Sequence, residues 1–209
     1  MTHRTETPLG PWEPAGPAEV AALFAPAAAR RGAPWWIAGG YAVERAVGYA
    51  FRDHADIDVL LLRRDQHLAQ EALPDWEWWA ADPPGTLRPW ARGEFLGPGV
   101  HDVWCRPGPD APWRIQLMLD EAEGDEWMSR RCGRVRRAVA DLGASSFDGD
   151  GVPYLAPEVQ LFYKAKSPRP KDEQDFAATV PVLTAPQRAW LRAALSQAYG
   201  PTPWHPALT

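Results

Sequence analysis

Residues 35–62 decide the architecture: Trp35-Trp36-Ile37-Ala38-Gly39-Gly40-Tyr41-Ala42-Val43-Glu44-Arg45-Ala46-Val47-Gly48-Tyr49-Ala50-Phe51-Arg52-Asp53-His54-Ala55-Asp56-Ile57-Asp58-Val59-Leu60-Leu61-Leu62. Trp35 to Ala38 is a short apolar run between Pro34 and Gly39, the pattern of a buried strand. Gly39-Gly40 breaks that run. Tyr41 to Val47 follows with helical spacing and stops near Gly48, while Ile57 to Leu62 is nearly continuous in apolar residues and predicts a second buried strand. The segment therefore reads strand, Gly-Gly turn, helix, strand.

The chemistry-bearing residues lie at the joints of that motif. Side chains alternate along a strand, so Asp56 and Asp58 point to one face, with Cα atoms roughly 6.5–7 Å apart. Two neighbouring carboxylates repel, and one takes up a proton unless a cation lies between them. Magnesium suits the pair, because it prefers carboxylate oxygens and draws its remaining ligands from substrate phosphates. At Gly39-Gly40 the free N–H groups and the positive end of the helix dipole favour phosphate. The Gly-Gly turn and the Asp-x-Asp pair are 16 residues apart, counted from Gly40 to Asp56, which suits one helix and a return strand.

Trp36-Ile37-Ala38-Gly39-Gly40-Tyr41-Ala42, followed by Arg52-Asp53-His54-Ala55-Asp56-Ile57-Asp58-Val59, resembles the signature of the nucleotidyltransferase superfamily related to polymerase beta. Within it the likeness is to the branch of aminoglycoside and lincosamide nucleotidyltransferases, whose pattern joins Gly-Gly-(Trp/Tyr)-Ala to Arg-x-His-x-Asp-(Ile/Leu)-Asp. A looser likeness runs through Tyr154-Leu155-Ala156-Pro157-Glu158 and Lys164, then Lys171-Asp172-x-x-Asp175. The resemblance implies an α+β fold, a small mixed nucleotidyltransferase-type sheet flanked by helices, with a C-terminal helical region. It implies an enzyme that moves a nucleoside monophosphate from a nucleoside triphosphate, ATP being the expected donor, to a hydroxyl of a small molecule such as an aminoglycoside-like compound. Pyrophosphate leaves, and antibiotic resistance is the associated role.

The resemblance also implies site residues. Asp56, Asp58 and a third carboxylate would hold one or two Mg²⁺ ions. On the strand Arg114 to Asp120 the third is expected at Asp120, which shares a face with Gln116 and Met118; Glu121 and Asp102 are alternatives. Gln116 departs from the family, since glutamine is a poor metal ligand and no base. Gly39, Gly40, Arg52, His54, Lys164 and Lys171 are the expected nucleotide-binding residues. Two other readings stay open: an RNA- or tRNA-directed nucleotidyltransferase of toxin type, and a catalytically weak nucleotide-binding protein of the same fold.

Outward from the motif, Pro17 opens an alanine-rich helix to Arg31, closed by Gly32. Asp65 caps a helix to about Leu73, and Trp76 to Ala80 reads as a strand. Residues 82–99 are loop-rich, and Val100–Arg106 with Trp113–Leu119 reads as a hairpin. Helices are expected from Pro157, from Lys171, and from the capping box Thr184-Ala185-Pro186-Gln187 through Tyr199. The domain reading is a flexible arm at 1–16, an α/β core at 17–121 and a mainly helical region at 122–209.

Composition sets the outer limits. With 45% hydrophobic and 23% charged residues over 209 positions, the chain has enough apolar matter to fold. Its net charge of −5 gives no global field for nucleic acid, and the one basic stretch is Arg130 to Arg137. No apolar run approaches the roughly 20 residues of a membrane span, so no membrane partner and a cytoplasmic location are expected. Two cysteines form no disulfide framework and are read as reduced thiols. A monomer or a homodimer fits equally.

Overall fold

A helix needs an apolar stripe to bury, and Val20, Phe24 and Ala27 supply one at helical spacing in α1 (Pro17–Arg31). Pro17 sits at its first position, and Gly32, at φ 63°, closes it in the left-handed conformation that glycine adopts without strain. This is a computed structural model, and it describes residues 10–144 and 151–209. By their contacts these residues form two units, one of 1–35 and 54–119, the other of 36–53 and 120–209. Eight strands and six α-helices lie among the described residues, an α+β fold.

In the first unit, α1 packs against the short α3 (Leu68–Ala72), and Arg31 donates to Glu71 between them. Its strands are β2 (Asp58–Leu62), β3 (Glu77–Ala81), β4 (Leu87–Pro89), β5 (Asp102–Arg106) and β6 (Ile115–Glu123) as far as Leu119. The sheet runs β2-β6-β5-β3-β4. β5 pairs antiparallel with β6 and with β3, so Trp79, Trp104 and Gln116 stand opposite one another across three strands. The expected hairpin is therefore present. Buried polar side chains fix the end of the stretch 82–99, read as loop-rich, and Val100 after it: Arg63 donates to the carbonyls of Gly97 at 2.8 Å and Val100 at 2.6 Å, and Gln66 accepts from Leu96 N–H at 2.8 Å.

The N-terminal arm needs correction over its last residues. Glu13 and Ala15 donate their N–H groups to the carbonyls of Trp113 and Arg114, both at 3.0 Å, so 13–15 is pinned along the start of β6. Residues 1–9 of that arm lie outside the described residues.

In the second unit, β1 (Trp35–Ala38) contributes residues 36–38, and Ile37 exchanges hydrogen bonds with Pro153 and Leu155 at 2.8 Å each. α2 (Gly39–Val47) follows directly. β7 (Glu126–Ser129) pairs antiparallel with residues 121–123 of β6 and with β8 (Cys132–Ala138). α4 (Pro157–Lys164) buries every residue from Pro157 to Tyr163, and packs against α2, α5 (Pro170–Thr179) and α6 (Ala185–Tyr199). The β7–β8 hairpin lies in the region read as mainly helical. Val135 is the only fully buried side chain of β8, so the segment lacks the apolar alternation that announces a strand. Residues 36–53, read with the core, share their contacts with this unit.

Both cysteines are free, and among the described residues no helix is long and apolar enough to cross a membrane. The capping box at α6 forms as read: Thr184 Oγ1 accepts from Gln187 N–H at 3.4 Å, and Gln187 Oε1 accepts from Thr184 N–H at 2.9 Å. Thr184→Ala leaves an N-terminal N–H without its acceptor and is expected to lower stability by about 1 kcal/mol, read as a shift in the urea midpoint at unchanged slope.

Candidate active site

Asp56 and Asp58 are both partly exposed, while Ile57 and Val59 between and beyond them are fully buried. Exposure thus alternates from the residues just ahead of β2 into its start, and both carboxylates lie outside the core. The segment is held in place on β6, where Gln116 N–H donates to the Ile57 carbonyl at 2.9 Å. The Gln116 side chain points toward β5, its Nε2 3.4 Å from Asp102 Oδ1, and Asp102 is itself partly exposed. The first unit therefore places Asp58, Gln116 and Asp102 on neighbouring strands β2, β6 and β5, with Asp56 two residues ahead of β2.

Among the described residues, no three His, Cys, Asp or Glu side chains converge closely enough to hold a metal ion. Two accessible carboxylates without a third suit Mg²⁺, which binds through one or two carboxylates plus substrate phosphates and not in an all-protein cage. The donor set at Asp56 and Asp58 fits that ion. His54, two residues earlier, is half-buried in the same unit.

Gly39 and Gly40 form the first turn of α2, so the expected turn is the helix N-terminus itself. Gly39 takes φ 67°, a value that side-chain-bearing residues rarely adopt. No acidic residue occupies that first turn, which leaves the positive end of the helix dipole uncompensated. One N–H is already used: Gly39 donates to Gln160 Oε1 at 2.8 Å, with Gln160 buried on α4. Gln160 escaped notice in the sequence, although a glutamine inside the apolar run Val159 to Tyr163 was the available signal.

Arg52 and Lys164, expected on phosphate, are engaged otherwise. Arg52 grips Asp175 with two parallel bonds, Nε to Oδ1 at 2.7 Å and Nη2 to Oδ2 at 2.9 Å. Lys164 Nζ lies 2.8 Å from Asp175 and 3.1 Å from Asp172, and Arg169 completes the cluster on Asp172 at 2.8 Å. Asp172 and Asp175, one helical turn apart on α5, are buried within this network. Burial pushes the carboxyls of Asp172 and Asp175 up, but their cationic partners outweigh it and hold both below the usual aspartate range. Lys171, on the first turn of α5, is partly exposed and takes no part in the cluster.

Asp120 needs correction. Its side chain is fully buried, accepts from Trp127 Nε1 at 2.8 Å and from the Tyr163 hydroxyl, and lies 3.7 Å from Arg130 Nε. Both hydrogen bonds fall on Oδ2, Oδ1 faces Arg130, and the whole side chain is closed to solvent, which a metal-holding or proton-accepting carboxylate could not be. Part of the basic stretch is paired with acids: Arg136 with Glu123 and Glu126 at 2.9 and 2.8 Å, and Arg137 with Glu158 at 2.6 Å.

The family model for aminoglycoside-2''-adenylyltransferase matches residues 22–76, the segment that holds α2 and the aspartate pair. No curated protein matches the sequence. Among solved structures, ANT(2'')-Ia in complex with adenylyl-2''-tobramycin is 14% identical, with TM-score 0.51, covering 86% of this chain and 97% of its own. The solution structure of antibiotic-resistance factor ANT(2'')-Ia is 18% identical, with TM-score 0.51 and coverages of 87% and 92%. The lincosamide antibiotic adenylyltransferase LnuA, lincomycin-bound, is 13% identical, with TM-score 0.52 and coverages of 78% and 96%. The chain therefore has the fold of these nucleotidyltransferases.

The lowered carboxyls of Asp172 and Asp175 contribute stability that is fully present above the ordinary aspartate value and lost as pH falls through their folded values. Unfolding free energy is therefore expected to drop steeply below about pH 4. In Asp172→Asn the protein starts less stable at pH 7 and shows a shallower acid limb, measurable by urea titration at stepped pH.

Proposed function

We propose that the protein is a Mg²⁺-dependent nucleotidyltransferase that moves a nucleoside monophosphate, AMP from ATP in the simplest case, to a hydroxyl of a small antibiotic-like acceptor. The observation that carries this reading is the Asp56–Asp58 pair, partly exposed at the entry to β2, where Ile57 and Val59 to Leu62 are core. It lies inside the segment that matches the adenylyltransferase family. Asp56 and Asp58 hold the divalent ion, which when bound neutralises charge on the polyphosphate.

The α2 N-terminus takes phosphate through its remaining N–H groups and its dipole, and Lys171 adds an accessible positive charge. His54 stays a nucleotide-contact candidate. Asp102, held by Gln116, takes the proton from the acceptor hydroxyl at a carboxylate oxygen. The acceptor oxygen bonds to the α-phosphorus as the bond to the leaving pyrophosphate breaks. Positioning and electrostatics carry such a transfer.

A small acceptor is supported by a groove of about 350 Å³ in the second unit, lined by Tyr41, Glu44, Arg45, Tyr49 and Tyr154. That volume suits a small molecule. The RNA-directed reading loses support, because Arg130, Arg134, Arg136 and Arg137 are occupied by Asp120, Gln197, the Glu123–Glu126 pair and Glu158.

A thermal-shift screen of four nucleoside triphosphates with and without Mg²⁺ tests nucleotide binding, and label transfer to aminoglycoside, lincosamide and tRNA panels tests the acceptor. Asp58→Asn is expected to keep the far-UV circular dichroism of the wild type and abolish both the Mg²⁺-dependent shift and transfer. Asp102→Asn should lower turnover on the order of 100-fold with little change in nucleotide affinity. Asp120→Asn, in contrast, should lower the melting temperature and leave turnover per folded molecule near wild type. Transfer by Asp58→Asn at the wild-type rate would rule out the assignment.

A further inference from the structure

We infer that Trp104 binds the acceptor, as a platform on which the ring that carries the reacting hydroxyl stacks; this rests on the reading of Asp102 as the group that takes the hydroxyl's proton. Asp102, Trp104 and Arg106 alternate with the fully buried Val103 and Cys105 along β5, so the three stand on one face of the sheet. That face continues across the neighbouring strands, where Trp104 is directly opposite Gln116 of β6 and Trp79 of β3. Gln116, which holds Asp102, is thus also the neighbour of Trp104. All of these residues belong to the first unit.

Tryptophans from separate parts of the chain gather on this face. The Trp104 ring meets Trp12 at 5.0 Å and Trp113 at 5.6 Å, each nearly perpendicular to it, and Trp79 meets Trp113 edge to face at 6.5 Å. Trp12 is placed by its backbone neighbours: the Pro11 carbonyl accepts from Trp113 N–H at 2.9 Å, and Glu13 N–H donates to the Trp113 carbonyl at 3.0 Å. Trp113 is fully buried, whereas Trp12, Trp79 and Trp104 keep part of their surface exposed. At the inner end Arg106 lies over Trp113, 4.5 Å from its centroid, and its Nε is 2.7 Å from Glu77 Oε2. The chain itself therefore supplies the cation that buried ring attracts, and the accessible part of the wall is an uncharged aromatic surface.

A tryptophan beside a carboxylate suits a ring with an apolar C–H face and hydroxyls at its rim, such as a sugar or aminocyclitol ring. One strand repeat separates Trp104 from Asp102, roughly 6.5–7 Å between Cα atoms, which is about the span of a six-membered ring with its hydroxyl. A hydroxyl held at Asp102 thus brings its own ring onto Trp104. The nucleobase of the donor, by contrast, is separated from the α-phosphate by its ribose.

The experiment uses the full chain labelled with 5-fluorotryptophan and read by ¹⁹F NMR, with an aminoglycoside and a lincosamide as probes. The Trp104 resonance is assigned by its loss in Trp104→Phe. The resonance of Trp78, which alternation along β3 turns to the opposite face, is assigned by Trp78→Phe and serves as the control. The probe that accepts label should shift Trp104 and leave Trp78 in place, and Mg²⁺–ATP alone should move neither. In transfer assays Trp104→Leu should raise the acceptor KM about 10-fold at an unchanged ATP KM, and Trp104→Phe, which keeps a ring, should recover most of that loss. The wild-type shift decides the matter even if Trp104→Leu folds poorly. A probe that is turned over while the Trp104 resonance stays unmoved would overturn the inference. So would a Trp104 shift with Mg²⁺–ATP alone, which would make the wall a nucleobase platform. A wild type that transfers to neither probe would instead overturn the proposed acceptor class, and this inference with it.

Discussion

An extended chain turns its side chains over every second residue, and at 56–59, from just ahead of β2 into its start, that period does two things at once. It sends Ile57 and Val59 into the core and leaves Asp56 and Asp58 accessible on the other side. A slip of one residue would put both carboxylates into the apolar interior and expose the residues that anchor the strand, so the register is strongly specified. The same constraint keeps two like charges close together. A divalent ion relieves their repulsion more cheaply than protonation does at neutral pH.

Several buried charges among the described residues are settled by internal pairing. Asp175 and Asp172 are buried with Arg52, Lys164 and Arg169 around them, and Asp120 is closed in by Trp127, Tyr163 and Arg130. In each case the carboxylate sits where desolvation would neutralise it without partners, and the partners are present. The aspartates of the candidate site differ in one physical respect: they keep access to solvent, which a ligand-binding carboxylate requires. That contrast separates the structural acids from the candidate functional ones more sharply than residue type does.

The arginines of 130–137 follow the same logic. As a string of letters they form a basic patch, but in the folded chain Arg136 and Arg137 meet acidic partners, and Arg137 also lies over the Trp190 ring, 5.1 Å from its centroid. A neutralised patch releases few counterions and gives little attraction for a phosphate backbone. Partner choice is thus a property of which charges remain unpaired.

The sequence by itself determined the elements that rest on local rules. Apolar runs announce β1 and β2, a capping box announces α6, and Gly39-Gly40 with Asp56-x-Asp58 carries the family resemblance that implies the fold and the metal-binding candidates. Those features depend on side-chain period and backbone conformation over a few residues, which neighbours along the chain already fix. Only the tertiary structure decided which ionisable groups are buried and which stay accessible. Arg52 and Asp175 are separated by 123 positions, Asp120 and Tyr163 by 43, and nothing in either neighbourhood announces the partner. The β7–β8 hairpin was hidden for a related reason, since pairing with the end of β6 stabilises it where its own pattern does not. Pairing and burial are set by contacts distant in sequence, and they convert a list of charged residues into structural and accessible ones.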